Sequence, residues 1–338
     1  MKEILERLCA GQDLSEEQSH RIFSELFAGN LSEVELSALL IALKIKGECA
    51  AEVSGAARAM LEAAAPLERP AGEVGEIVGT GGDGLHTFNI STITAILASC
   101  MGMRIAKHGN RAVSSSTGAS DVLSELGYNV TAPAALTARL LAEEGFAFIF
   151  AQSFHKAMKY AAPVRQKLQT RTIFNLLGPL TSPAHPDYEL LGVYDAGLTE
   201  LMARTLQQTG VRRALCVNGQ GMDEITCCGP THVSELRADG SIVSYDLTPQ
   251  DFGITQSVSP AELRGGDPRE NAAIARSVLS GQGTPAQQLT VGVNLAGLAY
   301  LSGQAASLQD GFEQGMACIR SGQGLAKLER ICRRSREE

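Results

Sequence analysis

Glycine and hydroxyl residues are concentrated in residues 76–121, where they form two similar segments. In the first segment, a short apolar run leads into the glycine cluster of residues 79–84, and a helix is predicted to begin at residues 89–92. In the second, a predicted loop at residues 107–111 precedes four hydroxyl residues at 114–117. Glycine lets the backbone approach an anion closely, and a helix start offers free N–H groups and the positive end of its dipole. This stretch is therefore predicted to bind a phosphorylated ligand.

Each of these features also has a simpler interpretation. The glycine cluster lacks the Lys-Ser/Thr ending of a P-loop and the spacing of a dinucleotide fingerprint, so by itself it indicates only a turn. Ser91 and Thr92 are typical helix caps, and Lys107 and Arg111 fit a solvated loop. Asp83 inside the cluster, and the repetition of the same strand, loop and helix pattern, favour a binding site.

Two further side chains have roles that depend on their surroundings. His108 is a candidate general base because an unperturbed imidazole titrates near neutrality. The sequence shows no carboxylate that would orient it, and a hydrogen bonder that lines a pocket is the alternative. Arg165 lies in a predicted helix with Lys159 and Lys167. It belongs either to a solvated basic face or to a substrate site, where a guanidinium grips a carboxylate better than lysine does.

Asp223 and Glu224 are adjacent acids that follow a predicted buried strand at residues 214–217. Carboxylates at a glycine-flanked strand end suit Mg²⁺, which prefers oxygen ligands and bridges to substrate phosphates. Two surface acids in a turn are the alternative. Because the chain has a formal net charge of −8, binding a diphosphate requires local positive charge, and this requirement favours the metal site.

The composition is that of an ordinary globular protein, with 338 residues, 44 % hydrophobic and 20 % charged. A chain of this length buries roughly three quarters of its unfolded surface, enough for one large domain or two unequal ones. The negative net charge, the absence of Trp and the low aromatic content argue against nucleic-acid binding. Eight cysteines without a CxxC pair, and a charged start without signal-peptide character, predict free thiols in the cytoplasm. No apolar run approaches the length of a membrane span.

The hydrophobic pattern divides the chain into a small helical domain at residues 1–70 and a large α/β domain at residues 71–338. In the helical part, Ser15 and Ser32 are predicted to cap two helices, the second with a capping box completed by Glu35. The helical residues 160–185 interrupt the strand pattern further along the chain, and we expect them to rejoin the small domain.

Short apolar strands alternate with helices after residue 74, which predicts a mixed, mainly parallel central sheet in an α/β fold. The predicted parallel strands include residues 104–106 and 190–194. Two closely spaced strands at residues 231–236 and 242–247 predict an antiparallel edge.

Several motifs together closely resemble those of the anthranilate phosphoribosyltransferase family. They are GTGGDG with TFNIST, KHGNRAVSS, APVRQKL with RTIFNLLGPL, GMDEIT and DFGIT, in matching order and approximate spacing over nearly the whole chain. The resemblance implies a fold shared with pyrimidine nucleoside phosphorylases and a homodimer joined through the helical domains. It implies a Mg²⁺-dependent transfer of the phosphoribosyl group of 5-phosphoribosyl 1-diphosphate (PRPP) to the amine of anthranilate. Diphosphate is released in this step of tryptophan biosynthesis.

The resemblance also implies roles for individual residues. Ser91, Asp223 and Glu224 would bind Mg²⁺, and Gly79, Asn110 and Arg165 would face anthranilate. The residues that would hold PRPP are Gly79, Gly82, Asp83, Thr87, Asn89, Ile90, Ser91, Thr92, Lys107, His108, Gly109, Asn110, Arg111, Ser114, Ser115 and Ala119. Ala119 stands where family members carry Ser or Ala, so only its backbone N–H could contact a phosphate. Residues 153–156, Ser-Phe-His-Lys, differ from the Tyr-His-Pro motif that is more usual in the acceptor channel of the family.

This chemistry agrees with the residue types. Departure of diphosphate leaves positive charge on the sugar and negative charge on the leaving group, which a metal, helix N-termini and Lys107 would stabilise. Once Arg165 orients it, the aromatic amine is a usable nucleophile without a strong base. A pyrimidine nucleoside phosphorylase is the nearest rival enzyme, and the paired Asp223 and Glu224 argue against it because phosphorolysis needs no metal-bridged diphosphate. A second alternative is a family relative that has become a nucleic-acid-binding protein, and the negative net charge of the chain argues against it.

Overall fold

The computed structural model describes residues 1–111 and 117–337. The helices of these residues are α1 (Lys2–Cys9), α2 (Glu16–Phe27), α3 (Glu33–Lys46), α4 (Ala50–Glu62), α5 (Ile90–Cys100), α6 (Ala119–Leu126), α7 (Ala134–Glu144), α8 (Ala151–Phe154), α9 (Ala162–Leu168), α10 (Phe174–Leu177), α11 (Thr199–Gln208), α12 (Pro268–Leu279), α13 (Pro285–Leu301), α14 (Leu308–Ser321) and α15 (Gln323–Arg334). The strands are β1 (Gly75–Gly79), β2 (Ile105–Gly109), β3 (Phe146–Phe150), β4 (Tyr188–Gly192), β5 (Arg213–Asn218), β6 (Thr231–Leu236) and β7 (Ile242–Leu247).

The N-terminal helices begin where their capping residues predict. Ser15 Oγ accepts the backbone N–H of Gln18 at 3.2 Å, and the Gln18 side chain accepts the N–H of Ser15 at 3.0 Å. Ser32 and Glu35 form the same reciprocal pair at the start of α3. Each box satisfies backbone donors that a helix start leaves without partners. The predicted caps are confirmed.

The seven strands form one sheet in the order β3-β2-β1-β4-β5-β6-β7. Every pair from β3 to β5 is parallel, whereas β5 with β6 and β6 with β7 are antiparallel. The buried strands are covered by helices on both faces, as parallel sheets require. The predicted fold class, an N-terminal helical domain followed by an α/β domain with a mixed, mainly parallel sheet, is confirmed.

The strand ends next to the glycine cluster differ from the prediction. We predicted Lys107, His108 and Gly109 in a loop, but they belong to β2 and pair in parallel with residues 148–150 of β3. Lys107 and His108 are almost fully buried. The loop prediction was wrong because it relied on their polarity, whereas pairing with the adjacent strand β3 keeps this segment extended. Strand β4 also lies earlier than predicted, at Tyr188–Gly192.

Residues 161–180 pack against the N-terminal helices. The ring of Phe174 lies 6.2 Å from that of Phe23 in an edge-to-face arrangement, and Val164 is buried in the same apolar cluster. On the surface, Lys167 pairs with Glu33 of α3 at 2.5 Å. These contacts connect a segment inserted between β3 and β4 to helices at the start of the chain.

In residues 1–111 and 117–337, no helix combines the length and the apolar character needed to cross a bilayer.

Candidate active site

The sheet order changes direction at β1, because β2 and β3 lie on one side of it and β4 and β5 on the other. In open α/β sheets, ligands bind at the carboxyl ends of the strands where the order reverses in this way. Gly79 ends β1 and Gly192 ends β4, and the two are register partners. The glycine cluster therefore begins at the position where the topology creates a crevice.

The loop after β5 packs directly on these two glycines. A Cβ atom on Gly79 would lie 2.2 Å from Oδ2 of Asp223, and one on Gly192 would lie 1.6 Å from the Asp223 carbonyl oxygen. Gly81 donates its backbone N–H to Oδ2 of Asp223 at 2.7 Å. Only glycine permits this approach, and it brings Asp223 onto the glycine cluster.

Asp83, Asp223 and Glu224 form a cluster of acids in this crevice. Burial, and next the charge of Asp83, raises the pKa of Asp223 to about 6. Burial, and next the charge of Asp223, raises the pKa of Glu224 well above its ordinary value. Asp223 and Glu224 are half-buried and not the surface acids of the alternative interpretation. Like charges held this close favour either a proton or a cation between them.

Lys107 supplies a buried positive charge beside the acids. Its side chain is 2 % exposed, and Nζ donates to the Ile77 carbonyl oxygen and to Oγ of Ser91, each at 3.0 Å. Burial lowers the pKa of Lys107, and the charges of Glu224, Glu76 and Asp223 oppose that shift. The ammonium group is therefore positioned at the start of α5, next to both the glycine cluster and the acids.

The oxygen donors of this crevice fit a magnesium ion. The carboxylates of Asp223 and Glu224 and the hydroxyl of Ser91 are hard ligands, and the backbone N–H of Ser91 lowers the pKa of Glu224, which indicates that these groups are adjacent. A divalent cation would remove the mutual repulsion that raises the carboxyl pKa values. The crowding of acids thus matches the chemistry of a metal that bridges to phosphates.

His108 follows Lys107 in β2 and lies on the other side of the sheet. Nδ1 donates to the carbonyl oxygen of Gly178 at 3.1 Å, and the backbone N–H donates to Oε1 of Glu76 at 2.6 Å. Nε2 is buried and has no hydrogen-bond partner in the described part of the chain. Burial, with His155 next to it, lowers the pKa of His108 to about 3. A neutral imidazole with so low a pKa is a weak base at neutral pH, so the geometry favours hydrogen bonding over general-base catalysis.

The two buried histidines make acid stability testable. Burial lowers the pKa of His155 to about 4, so between pH 6.5 and 4 the unfolded chain binds protons that the folded chain does not. The free energy of unfolding should therefore decrease as the pH is lowered through this range, by about 1.4 kcal/mol per pH unit for each such histidine. Glu76, whose pKa burial raises to about 7, contributes a slope of opposite sign.

Comparison of variants isolates the contribution of His155. Urea denaturation at several pH values between 7 and 4 should show a shallower decline for His155→Gln than for the wild type. His232→Gln is the matched control, because His232 lies at the surface and pairs with Asp246. Identical slopes for the wild type and His155→Gln would contradict the prediction.

Arg165 lies in α9 and has a partly buried side chain. Its guanidinium carbon lies 5.1 Å from the centre of the Phe174 ring, and burial lowers its pKa. Among residues 1–111 and 117–337, no carboxylate forms an ion pair with it. Lys167, two residues along, pairs instead with Glu33 at the surface. A half-buried guanidinium without a counter-charge is suited to bind a carboxylate from outside the chain.

The other predicted residues occupy different parts of the site. Asn110 follows β2, and its side-chain oxygen accepts the backbone N–H of Arg111 and the amide of Gln152. Asn89 is the N-cap residue of α5, so Ser91 and Thr92 lie inside its first turn and are not its caps. Ile90 and Thr92 are buried, and the backbone N–H of Ile90 already donates to the carbonyl oxygen of Phe88 at 2.7 Å, so the backbone N–H of Thr92 is the group that could meet a ligand. Gly82 lies in the glycine loop and Thr87 lies before α5, while Gly109 ends β2 and Ala119 begins α6. Ser114 and Ser115 fall outside the described residues.

Two residues near the site were not predicted from the sequence. Glu76 accepts the backbone N–H of His108, and Arg171 donates to the carbonyl oxygen of Gly82. Glu76 lies one residue before the apolar pair of β1, and Arg171 lies in a motif that carried the resemblance. A charged residue inside an otherwise apolar strand was the available signal for Glu76.

Comparisons with known proteins agree with this geometry. The a/b domain model of the glycosyl transferase family matches residues 72–325, and the helical bundle domain model matches residues 2–64. An anthranilate phosphoribosyltransferase from Tolumonas auensis is 45 % identical over 335 residues and covers 99 % of both chains. One from Vibrio cholerae is 44 % identical over 334 residues, covering 99 % of this chain and 100 % of the other. The chain belongs to the anthranilate phosphoribosyltransferase family.

Solved structures of the anthranilate phosphoribosyltransferase family superpose on nearly the whole chain. The protein from Thermus thermophilus aligns with a TM-score of 0.93 at 39 % identity, covering 99 % of both chains. The Saccharomyces cerevisiae protein in complex with PRPP and Mg aligns with a TM-score of 0.88 at 28 % identity, covering 98 % of this chain and 97 % of the other. The same yeast protein in complex with 4-fluoroanthranilate aligns with a TM-score of 0.86 at 27 % identity, with the same coverage.

Proposed function

We propose that this protein transfers the phosphoribosyl group of PRPP to the amine of anthranilate and releases diphosphate, in tryptophan biosynthesis. The observation that carries the proposal is the meeting of Asp223, the glycine loop, Ser91 and buried Lys107 at one crevice of a family fold, with the unpaired guanidinium of Arg165 in the segment whose Arg171 contacts the same loop. The acids and Lys107 suit a metal-bound diphosphate, and Arg165 suits the carboxylate of an aromatic acid. The yeast relative in complex with PRPP and Mg supports the donor, and its 4-fluoroanthranilate complex supports the acceptor.

The donor would lie on the glycine loop and the first turn of α5. The backbone N–H of Thr92 and the ammonium group of Lys107 would hold diphosphate oxygens. Ile90 and Ser91 would line the same turn, since the N–H of Ile90 donates to the carbonyl oxygen of Phe88 and that of Ser91 faces Glu224. The other proposed contacts come from Gly79, Gly82, Asp83, Thr87, Asn89, His108, Gly109, Asn110, Arg111, Ser114, Ser115 and Ala119. Helix N–H groups and one buried ammonium offset the net negative charge of the chain where the diphosphate binds.

Ser91, Asp223 and Glu224 would hold Mg²⁺, which when bound neutralises the diphosphate and makes it a better leaving group. Asp223 is held in place by the N–H of Gly81 and by the close approach of Gly79 and Gly192. The chain therefore fixes the acids before the ligand arrives, and such preorganisation lowers the cost of stabilising charge in the transition state.

The acceptor would bind between Gly79, Asn110 and Arg165. The guanidinium would pair with the anthranilate carboxylate and direct the amine toward C1 of the ribose. The nitrogen forms a bond to C1 as the bond from C1 to the diphosphate oxygen breaks, and diphosphate leaves with that electron pair. The nitrogen then loses a proton to the departing diphosphate or to water. The free Nε2 of His108 would accept a hydrogen bond from the amine and orient it.

Three further properties belong to this proposal. The helical domain would consist of residues 1–70 joined by about residues 160–185, as the contacts of Phe174 and Lys167 support. A homodimer would form through this domain, where Val34 and Ile45 of α3 expose 79 % and 81 % of their surface on one side of the helix. The eight cysteines are free, which suits the reducing cytoplasm.

An assay of anthranilate fluorescence tests the proposal directly. We expect the fluorescence to fall when PRPP and Mg²⁺ are added together, and to remain when Mg²⁺ is replaced by a chelator. Conversion of a pyrimidine nucleoside with inorganic phosphate, without any loss of anthranilate, would identify the rival phosphorylase and overturn the proposal.

Substitution of Arg165 tests the acceptor site. Arg165→Ala should raise the KM for anthranilate at least tenfold while the KM for PRPP changes less than threefold, because a charged hydrogen bond to a carboxylate contributes roughly 1.5–3 kcal/mol. Arg204→Ala is the control, since Arg204 pairs with Glu200 on the exposed side of α11. A larger change in the PRPP KM than in the anthranilate KM would remove Arg165 from the acceptor site.

A further inference from the structure

Arg171 connects the segment that carries Arg165 to the glycine loop. It lies between α9 and α10, and its guanidinium donates to the carbonyl oxygen of Gly82. The guanidinium carbon also lies 3.9 Å from the centre of the Tyr194 ring. One side chain therefore contacts both the loop after β1 and Tyr194, the second residue after β4.

Both partners of Arg171 belong to the framework of the crevice. The backbone N–H of Tyr194 donates to Oγ1 of Thr80 at 3.1 Å, and the N–H of Thr80 donates to the carbonyl oxygen of Gly192 at 2.9 Å. In the same loop, the backbone N–H of Gly81 donates to Oδ2 of Asp223. The loop is thus held by Asp223 at Gly81 and by Arg171 at Gly82.

The glycine loop needs such contacts because its backbone is intrinsically flexible. Gly81, Gly82 and Gly84 all have positive φ values, between 67° and 75°. Glycine loses more conformational entropy on ordering than any other residue, so a loop built from it binds weakly unless something orders it in advance. Arg171 provides that order through a directed hydrogen bond.

The same segment is attached to the helical domain. Lys167 pairs with Glu33 of α3, and Lys44 of α3 donates to Oγ1 of Thr170, the residue before Arg171. Arg165 lies six residues before Arg171 in this segment. A movement of α3 relative to the sheet would therefore displace Arg165 and the anchor of the glycine loop together.

We infer that Arg171 is a positioning residue that couples the acceptor segment to the donor loop, so that the sites for anthranilate and PRPP become ordered together. The inference rests on the proposed function for the identity of the two ligands. Arginine suits the role because its planar guanidinium stacks on an aromatic ring while an N–H group points at a carbonyl oxygen. Lysine has no planar group for the first contact.

Binding measurements test this coupling. In the wild type, a saturating acceptor analogue that keeps the carboxylate and lacks the amine, such as benzoate, should tighten the binding of PRPP with Mg²⁺, measured by calorimetry. In Arg171→Ala the Kd for PRPP should rise about tenfold, and the tightening by the analogue should fall to less than twofold. Arg171→Lys should resemble the alanine variant more than the wild type. Tyr194→Leu, which removes the stacking surface and leaves Arg171 in place, should show a smaller loss in the same direction.

The controls separate positioning from general damage. Arg204→Ala should match the wild type in PRPP affinity and in coupling, because its ion pair with Glu200 lies away from the crevice. An unchanged PRPP Kd and unchanged coupling in both Arg171→Ala and Tyr194→Leu would overturn the inference, as would a lowered melting temperature with normal binding. A wild type that binds PRPP without converting anthranilate would refute the proposed function alone, since the PRPP affinity of the variants would still test Arg171.

Discussion

Replacing Asp223 by Asn and Glu224 by Gln together is expected to lower kcat/KM with PRPP and anthranilate by at least about 1,000-fold and to abolish the dependence on Mg²⁺. The loss of a single preorganised charge-stabilising group costs roughly 100- to 1,000-fold in comparable sites, and this variant removes two. The amides keep the size of the side chains, so the N–H of Gly81 retains an acceptor on residue 223. The fold should survive while the metal affinity is lost.

The measurement is a titration of the rate with Mg²⁺ at saturating PRPP, together with the melting temperature of each variant. Because both acids have raised pKa values, the substitutions should leave the melting temperature unchanged or raise it at pH 8, where repulsion between the charges is greatest. Asp246→Asn is the matched control, because Asp246 is exposed on the edge strand β7. The same Mg²⁺ response in the double variant and the wild type would refute the metal site.

Gly192→Ala should reduce kcat/KM by at least about 100-fold. The new Cβ atom would lie 1.6 Å from the carbonyl oxygen of Asp223, and no rotation of a side chain can relieve a clash with the backbone. The loop after β5 must move away, and misplacement of catalytic groups by about 1 Å can cost on the order of 100-fold in rate. The substitution lies in a strand outside the recognised motifs, so its effect depends on the tertiary contact alone.

Gly197→Ala serves as the control for this experiment. A Cβ atom on Gly197 would have its nearest contact at 3.4 Å, with the side chain of Asp195, and we expect activity within twofold of the wild type. Steady-state kinetics with both substrates, and the Mg²⁺ titration described above, would report the difference. Activity close to that of the wild type in Gly192→Ala would show that the position of Asp223 is not critical.

The sequence was sufficient to predict most of the helices and strands and to single out candidate residues for a site. Capping boxes located the helices near Ser15 and Ser32, and the alternation of strands and helices indicated a mainly parallel sheet. Both are local signals, since a cap is completed within a few residues and a strand reveals itself by its own apolar run. Residues 79–84 and the acids at 223 and 224 were likewise recognisable because their chemistry is carried by adjacent residues.

The limits of the strands were harder to predict. Lys107 and His108 read as loop residues because both are polar, yet both lie buried in β2. Pairing with β3, some forty residues later in the sequence, keeps them extended, with Lys107 opposite Phe148. The ammonium group of Lys107 also donates to oxygens of Ile77 and Ser91, which satisfy it in its buried position. A residue whose hydrogen-bond partners are distant in sequence gives no local sign of its burial.

By itself, the sequence determined which groups are available: a flexible glycine loop, a helix start, a pair of acids and candidate cations. Only the tertiary structure decided which of them meet. The contact of Gly81 with Asp223 spans 142 residues, and it exists because the sheet order sets β1 beside β4 and β4 beside β5. Parallel strands end at the same edge, so that order determines which loops converge. Arg171 reaches Gly82 across 89 residues for a similar reason, because the inserted segment between β3 and β4 returns to the same edge of the sheet.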